Sequence, residues 1–207
     1  AKFANGLILY PLKYYLAMPN QLITSTTTKD YWLVLNFCGL TFLGAVYVLR
    51  HFKRYRSLAT IITLTIIALM LPQFSAVANA MSTPSNRWLF LIVLPMSLAT
   101  MILVDQLKNL TQNDLRWLIG ASAGLIVLVW ITKGFTLKLP QNDLVSYGLL
   151  LSFLLLFACQ TSLKISPRHV GTILVGLVFI NVISAGQGWF SPNNSKNINS
   201  NLASGSA

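Results

Sequence analysis

Six long stretches of the chain contain almost no charged residues, and this feature limits the fold more than any motif does. A helix needs about 20 mostly apolar residues to cross the hydrocarbon layer of a membrane. The stretches that approach or reach this length are residues 31–49, 58–78, 88–104, 117–132, 144–163 and 170–185. With 55% hydrophobic and 9% charged residues among 207, the chain carries more apolar surface than one soluble core can bury. The sequence therefore predicts an integral membrane protein.

The six stretches are expected to be helices rather than strands of a membrane barrel, because none alternates apolar and polar residues with a period of two. Three of them are preceded by helix-entry signals, which are Thr111 with Asp114, Asn142 before Leu144, and Ser166-Pro167. The predicted fold class is all-α, a polytopic transmembrane bundle of about six spans. Residues 31–188 form this region, with an extracytoplasmic or interfacial segment before it (1–30) and a polar tail after it (189–207).

The loop between the first two stretches predicts the orientation of the bundle. Its sequence, RHFKRYRS, carries four basic residues and no acid, which places it on the cytoplasmic side of the cell membrane. Alternating spans then place both ends of the chain outside the cytoplasm. The Asn- and Ser-rich tail is expected to be disordered. Residues 1–30 contain no secretory signal and the chain starts at Ala1, so we expect an internal piece of a longer multi-pass protein.

Several other classes of function are not expected. The net charge of +11 could indicate nucleic acid, but the basic residues lie between apolar runs, where they act as topology signals. Cys38 and Cys159 lie in separate apolar runs with no Cys/His spacing, which favours small buried side chains over a disulfide or a metal site. His51 and His169 are expected to face solvent or lipid headgroups. The chain contains no Gly-rich phosphate loop or nucleophile elbow, so we expect no cofactor.

The four acidic residues do not identify a catalytic group. Asp105 and Asp114 fall in loops predicted to be cytoplasmic. Asp30 and Asp143 fall on the outer side, but each stands at a predicted helix start, where capping is the expected role.

The segment PQFSAVANAMSTPSNR, residues 72–87, separates the second and third predicted spans. Pro72 interrupts the second span, and the residues after it mix apolar side chains with Gln73, Ser75, Asn79 and Ser82. Irregular backbone at membrane depth is tolerated where protein or a watery cavity satisfies its polar groups. This segment is therefore expected to line a cavity.

The end of the same segment is a candidate anion site. Thr83 and Pro84 are typical of a cap and a first helical residue, which places Ser85, Asn86 and Arg87 in the first turn of the third span. A helix N-terminus offers unpaired N–H groups, and an arginine adds a fork of donors that matches phosphate. Alternatively, Arg87 only anchors the helix at the interface, with Trp88 in the aromatic belt of the membrane. The residues alone leave both interpretations open.

Two stretches, LPQFSAVANAMSTPSNRWLFLIVLP and, further along the chain, VDQLKNLTQNDLRW, resemble the YfhO family of bacterial membrane proteins. Members of that family carry a similar Asn-x-x-x-x-Pro-x-x-Arg-Trp pattern between two spans, often with PSNRW itself. The resemblance covers about residues 5 to 190, and the usual family glycine after the asparagine is Ala80 here. The family in turn resembles the GT-C class of glycosyltransferases, which take a sugar from a polyprenyl-phosphate carrier at the outer face of the membrane. It is implicated in glycosylating teichoic acids of Gram-positive envelopes.

The resemblance implies a site, partners and a chemistry. Asn79, Ser85, Asn86, Arg87 and Trp88 would lie beside the lipid-linked sugar donor or the envelope-polymer acceptor. In such an enzyme a carboxylate acts as base and cationic groups stabilise the leaving polyprenyl phosphate, which is the role expected of Arg87. GT-C enzymes usually carry the catalytic acid in a first outer loop that is not in this chain, so the chain alone is expected to be inactive. The alternatives are a transporter or lipid-handling protein that binds the same anionic headgroup, and a structural scaffold.

Overall fold

The computed structural model describes residues 9–24, 35, 37–78, 86–133, 141–163 and 165–187, and this part of the chain consists of helices and their connections. The α-helices are α1 Leu12–Gln21, α2 Gly39–Arg50, α3 Arg56–Met70, α4 Pro72–Ala78, α5 Val93–Asp105, α6 Gln112–Thr132, α7 Gln141–Leu163 and α8 Pro167–Gln187. Two 3-10 helices flank α5, η1 Asn86–Ile92 before it and η2 Gln106–Asn109 after it. No strand occurs within these ranges, as the all-α prediction requires.

Four helical segments are long and apolar enough to cross a membrane: Trp88–Asn109, Gln112–Thr132, Asp143–Leu163 and Arg168–Ala185. They correspond to the last four predicted spans. A fifth span is possible if the bent pair of α3 and α4 counts as one. Helix α2, at 12 residues, is shorter than a bilayer requires, and residues 31–34 and 36 of the first predicted span lie outside the described ranges. The multi-pass character is confirmed, whereas six spans and the two outer ends stay predictions.

The second predicted span is broken at Pro72, as the sequence indicated. Helices α3 and α4 meet at an angle of 102°. The cause is local: a residue before proline disfavours the helical region, and Leu71 is extended, with φ −112° and ψ 112°. Proline also has no N–H with which to continue the helical ladder. The chain therefore turns sideways at this point.

The predicted helix starts agree with the structure to different degrees. Thr111 and Asp114 form a reciprocal capping box on α6, and α8 begins at Pro167, both as predicted. Helix α7 begins one residue before the predicted cap Asn142.

The third predicted span differs, because it starts as a 3-10 helix and becomes α-helical only at Val93. Pro95 lies in the first turn of the α-helical part, and because proline has no N–H it leaves the carbonyl of Leu91 without its α-helical partner.

Helix α2 lies in the middle of the bundle and packs against α3, α5, α6 and α7. Its approach to α5 is close because Gly44 has no side chain. A Cβ at Gly44 would lie 2.8 Å from backbone atoms of Ala99 and Thr100. Small residues at such contacts are typical of helix packing in membranes, where backbones must come close to gain van der Waals contact.

The bundle has two chemically different ends. The basic end carries the loop after α2, η2, and the start of α8. The opposite end, called the α1 end below, carries α1, the break after α3, η1 and the start of α7. Between the two ends, large apolar side chains such as Leu94, Val175 and Phe179 are exposed on the outside of the helices. This is the surface expected of helices whose solvent is lipid.

Candidate functional site at the α1 end

Helix α1 buries several polar side chains and exposes two large apolar ones. Tyr14, Asn20 and Gln21 are buried, whereas Leu12 and Leu16 are exposed. This arrangement is the reverse of a helix on a water-soluble protein. It indicates that α1 lies against a polar region of the bundle while its outer face meets an apolar environment.

Two neighbouring tyrosines of α1 satisfy the backbone at the end of α3. The Tyr14 hydroxyl donates to the carbonyl oxygen of Leu69 at 2.9 Å, and the Tyr15 hydroxyl donates to that of Met70 at 2.9 Å. The last carbonyls of a helix have no partner within the helix, and burying them unpaired is costly. Burial raises the pKa of Tyr14 far above its ordinary value, so the hydroxyl stays a protonated donor. Helix α1 therefore holds the break in place.

A second group of hydrogen bonds joins the break to η1. The Ser75 hydroxyl donates to Asn86 Oδ1 at 2.6 Å, and Asn86 Nδ2 donates to the Tyr14 hydroxyl at 3.1 Å. The indole N–H of Trp88 donates to Ser75 Oγ at 3.3 Å. Ser75 and Asn86 are almost completely buried. We call these four residues, Tyr14, Ser75, Asn86 and Trp88, the outer polar network.

Trp88 is a packing residue inside the protein. It is 8% exposed, and its ring meets the edge of Phe74 at a centroid distance of 4.9 Å. The interpretation that places Trp88 in the aromatic belt of the membrane is therefore wrong, because its indole is enclosed by protein. The position of Trp88 therefore does not distinguish between the two interpretations of Arg87, as a membrane anchor or as a phosphate-binding residue.

The predicted site residues fall in and beside this network. Asn86 and Trp88 are brought together through Ser75, as described above. Asn79 and Ser85 lie outside the described residues, as do the predicted cap Thr83 and Pro84. Arg87 is part of η1, but its side chain also lies outside the description. A 3-10 helix of seven residues replaces the expected α-helical first turn, so Asn86 and Arg87 do not lie at the N-terminus of an α-helix.

Another polar cluster at the α1 end was missed by the sequence analysis. Asp143, expected to cap a helix, is completely buried in the first turn of α7. Its Oδ2 accepts from Asn20 Nδ2 at 3.0 Å and forms an ion pair with Lys133 Nζ at 3.0 Å. The Tyr147 hydroxyl donates to Asn20 Oδ1 at 2.8 Å. Asn20 and Asp143 are separated by 123 positions, and no local pattern reports such a pair.

The basic end has its own charge cluster. Arg50 Nε donates to Asp114 Oδ1 at 2.7 Å, and the Nε2 of His51 lies 2.9 Å from the same oxygen. The Thr111 hydroxyl donates to the other carboxylate oxygen at 2.6 Å. His51, expected to face solvent or headgroups, is thus only partly exposed and is bound to a carboxylate from α6. This cluster ties α2 to α6, and nothing in it indicates a ligand.

Within the described ranges, no group of three or more His, Cys, Asp or Glu side chains could hold a metal ion. Cys38 and Cys159 are both free thiols, and each is partly buried.

Comparison with known proteins gives one result. The sequence profile of the family described as "Bacterial membrane protein YfhO" matches residues 1–206. No curated protein and no solved structure matches the chain.

Proposed function

Because the chain belongs to the YfhO family of bacterial membrane proteins, we propose that it is the membrane-embedded portion of a lipid-linked glycosyltransferase. The enzyme would take a sugar from a polyprenyl-phosphate carrier and transfer it to a cell-envelope polymer such as teichoic acid. The observation that carries the proposal is the outer polar network, which fixes the segments on both sides of the break in the second span.

The network supports a binding role for Arg87 through the backbone. Arg87 lies between Asn86 and Trp88, whose side chains both reach Ser75. Since its two neighbours are held by buried hydrogen bonds, the backbone that carries the guanidinium is fixed as well. A positioned guanidinium can bind two phosphate oxygens at once, and this geometry suits the leaving polyprenyl phosphate. In this proposal, Asn86 and Trp88 position the site rather than contact the donor.

In this proposal the reaction takes place at the outer face of the membrane. A polyprenyl-phosphate headgroup at the outer face would meet the α1 end if the basic loop after α2 is cytoplasmic. Helix α1 presents Leu12 and Leu16 outward on the same end, where apolar carrier chains would pass. The break in the second span supplies irregular backbone next to the site, as expected where a membrane protein holds a polar ligand.

The base that activates the acceptor hydroxyl is expected from another part of the enzyme. Of the acids in the described ranges, Asp105 and Asp114 lie at the basic end. Asp143 lies at the α1 end, but it is enclosed by protein and paired with Lys133. A carboxylate held in this way cannot reach a hydroxyl of the acceptor, and its role is to join α1, α6 and α7. The residues described here therefore supply binding, and a carboxylate elsewhere supplies the proton transfer.

The proposal is tested by sugar transfer in membranes. Membranes from cells with and without the intact protein are given a radiolabelled polyprenyl-phosphate sugar, and label in the envelope polymer is measured. Transfer that depends on the protein supports the proposal. Movement of the labelled lipid between leaflets without transfer would instead indicate the transporter or lipid-handling alternative.

A further inference from the structure

A cleft at the basic end belongs to neither the outer polar network nor the Asp114 cluster. Its volume is about 440 Å³, which is within the range of small-molecule and headgroup sites. It opens between η2 and the start of α8, and α7 packs against both of these elements. The residues that line it are Val104, Asp105, Gln106, Leu107, Lys108, Asn109, Gln160, Val170, Gly171 and Leu174.

Gln160 gives this cleft an unsatisfied polar group. The side chain is 9% exposed and lines the cleft from α7. Within the part of the chain that the structure describes, its buried Oε1 accepts no hydrogen bond. Leaving a buried amide unpaired costs about 1–3 kcal/mol, and most buried polar groups do find a partner. A ligand in the cleft would supply the missing partner.

The charges around the cleft match a zwitterion. Asp105 ends α5, and Lys108 follows three residues later in η2. Both side chains are exposed and line the cleft, so one anion and one cation lie at the same opening. The Asp105 carboxylate accepts from the neighbouring Gln106 amide at 2.8 Å and keeps further lone pairs for a cation. An ammonium group would complement Asp105 and Gln160, and a phosphate would complement Lys108.

The wall of the cleft that α8 forms is apolar and leads to the lipid-facing surface. Val170 and Leu174 line the cleft from α8. Further along the same helix, Val175 and Phe179 are 71% and 65% exposed. A ligand with a charged head in the cleft and hydrocarbon chains along α8 would satisfy both parts of this surface.

We propose that this cleft binds the headgroup of a phospholipid that carries both a primary ammonium and a phosphate, namely phosphatidylethanolamine. Three N–H donors on the ammonium can pair with Gln160 and Asp105, while the phosphate pairs with Lys108. Phosphatidylcholine has no N–H to donate, and phosphatidylglycerol has no positive charge for Asp105. The site is independent of the proposed glycosyltransferase function, because it lies at the other end of the bundle.

The test measures lipid retention and lipid-induced thermal stabilisation of the purified full chain. The probes are phosphatidylethanolamine, phosphatidylcholine and phosphatidylglycerol with identical acyl chains, together with soluble glycerophosphoethanolamine. We expect phosphatidylethanolamine to be retained about tenfold more strongly than the other two lipids, and the soluble headgroup to be retained weakly. Equal retention of the three lipids would overturn the proposal. Retention of the soluble headgroup as strong as that of the lipid would overturn the assignment to a lipid.

Two glycines of α8 provide a matched pair of variants. A Cβ at Gly171 or at Gly176 would meet nothing within 4 Å, so the two positions are equally open to the first carbon of a side chain. Only Gly171 lines the cleft. We expect Gly171→Leu to lose about tenfold in phosphatidylethanolamine retention while Gly176→Leu keeps it. Equal retention by the two variants would contradict the proposal.

Gln160→Leu separates lipid binding from folding. This variant removes a buried amide oxygen that has no partner among the described residues, so the lipid-free protein should become more stable. It should also lose the additional stabilisation that phosphatidylethanolamine gives over phosphatidylcholine. If Gln160→Leu keeps that full difference, Gln160 does not face the headgroup and the proposal fails.

Discussion

The Tyr14 hydroxyl donates a hydrogen bond to the carbonyl of Leu69, 55 residues further along the chain, at the point where a membrane span breaks. The same hydroxyl accepts from Asn86. One side chain of α1 therefore joins the end of α3 to the start of η1. This link makes α1 a part of the candidate site rather than a separate N-terminal segment.

Tyr14→Phe should destabilise the fold by about 1–3 kcal/mol, because it leaves the Leu69 carbonyl and one Asn86 donor without their partner in a buried place. The comparison is Tyr15→Phe, which removes an exposed bond to the next carbonyl and a partly buried bond from the Tyr10 N–H. Thermal unfolding of the purified protein in detergent measures both. A loss for Tyr15→Phe as large as that for Tyr14→Phe would show that burial of this bond does not matter.

Local sequence signals predicted several features of this fold correctly. The capping box is formed by Thr111 and Asp114, which are three positions apart. The break in the second span depends on Pro72 and the residue before it. Contacts between residues that are distant in the sequence could not be predicted from any local pattern. The bond between Asn20 and Asp143 and the burial of Trp88 depend on how helices pack, which no spacing along the chain encodes.

Gly44→Ala should destabilise the bundle by about 1–3 kcal/mol, since the added methyl group would meet backbone atoms of α5 at 2.8 Å, and backbone cannot move aside as a flexible side chain can. Gly124→Ala on α6 is the control, because a Cβ there meets nothing within 4 Å. That variant should be neutral or stabilise the protein by up to about 1 kcal/mol through helix propensity. The free energy of unfolding of both variants is measured in detergent. If Gly44→Ala does not change it, α2 and α5 do not approach closely enough for a methyl group to clash.

Lys133→Met should lower the free energy of unfolding by about 3 kcal/mol, because it removes the ammonium that pairs with the completely buried Asp143 carboxylate. The double variant Lys133→Met, Asp143→Asn should recover most of that loss, since an asparagine carries no charge and can still bond to Asn20. The double-mutant cycle in the same unfolding assay isolates the coupling between the two residues. If the double variant is as unstable as Lys133→Met alone, the negative charge of Asp143 is not the cause of the destabilisation.

The orientation is tested by labelling single cysteines in intact cells, after replacing Cys38 and Cys159. A cysteine at Ser57, beside the basic loop, should be protected from an impermeant thiol reagent. A cysteine at Ser82, between the second and third predicted spans, should react. The reverse pattern would place the basic end outside the cell and would remove the α1 end from the outer face.

Arg87→Lys tests whether Arg87 binds a phosphate or anchors a helix. A lysine can also extend to the membrane interface, so insertion and expression should stay unchanged in either case. A lysine cannot reproduce the two parallel hydrogen bonds of a guanidinium, so a phosphate site should lose about 2 kcal/mol, or roughly thirtyfold in donor-dependent transfer. Arg54→Lys at the basic end, where the guanidinium lies over the Tyr55 ring, is the control for the same substitution away from the site. Transfer is compared in membranes with equal amounts of the intact protein. Equal rates for Arg87→Lys and wild type would show that Arg87 serves the membrane interface, because an anchor needs only a positive charge on a long side chain.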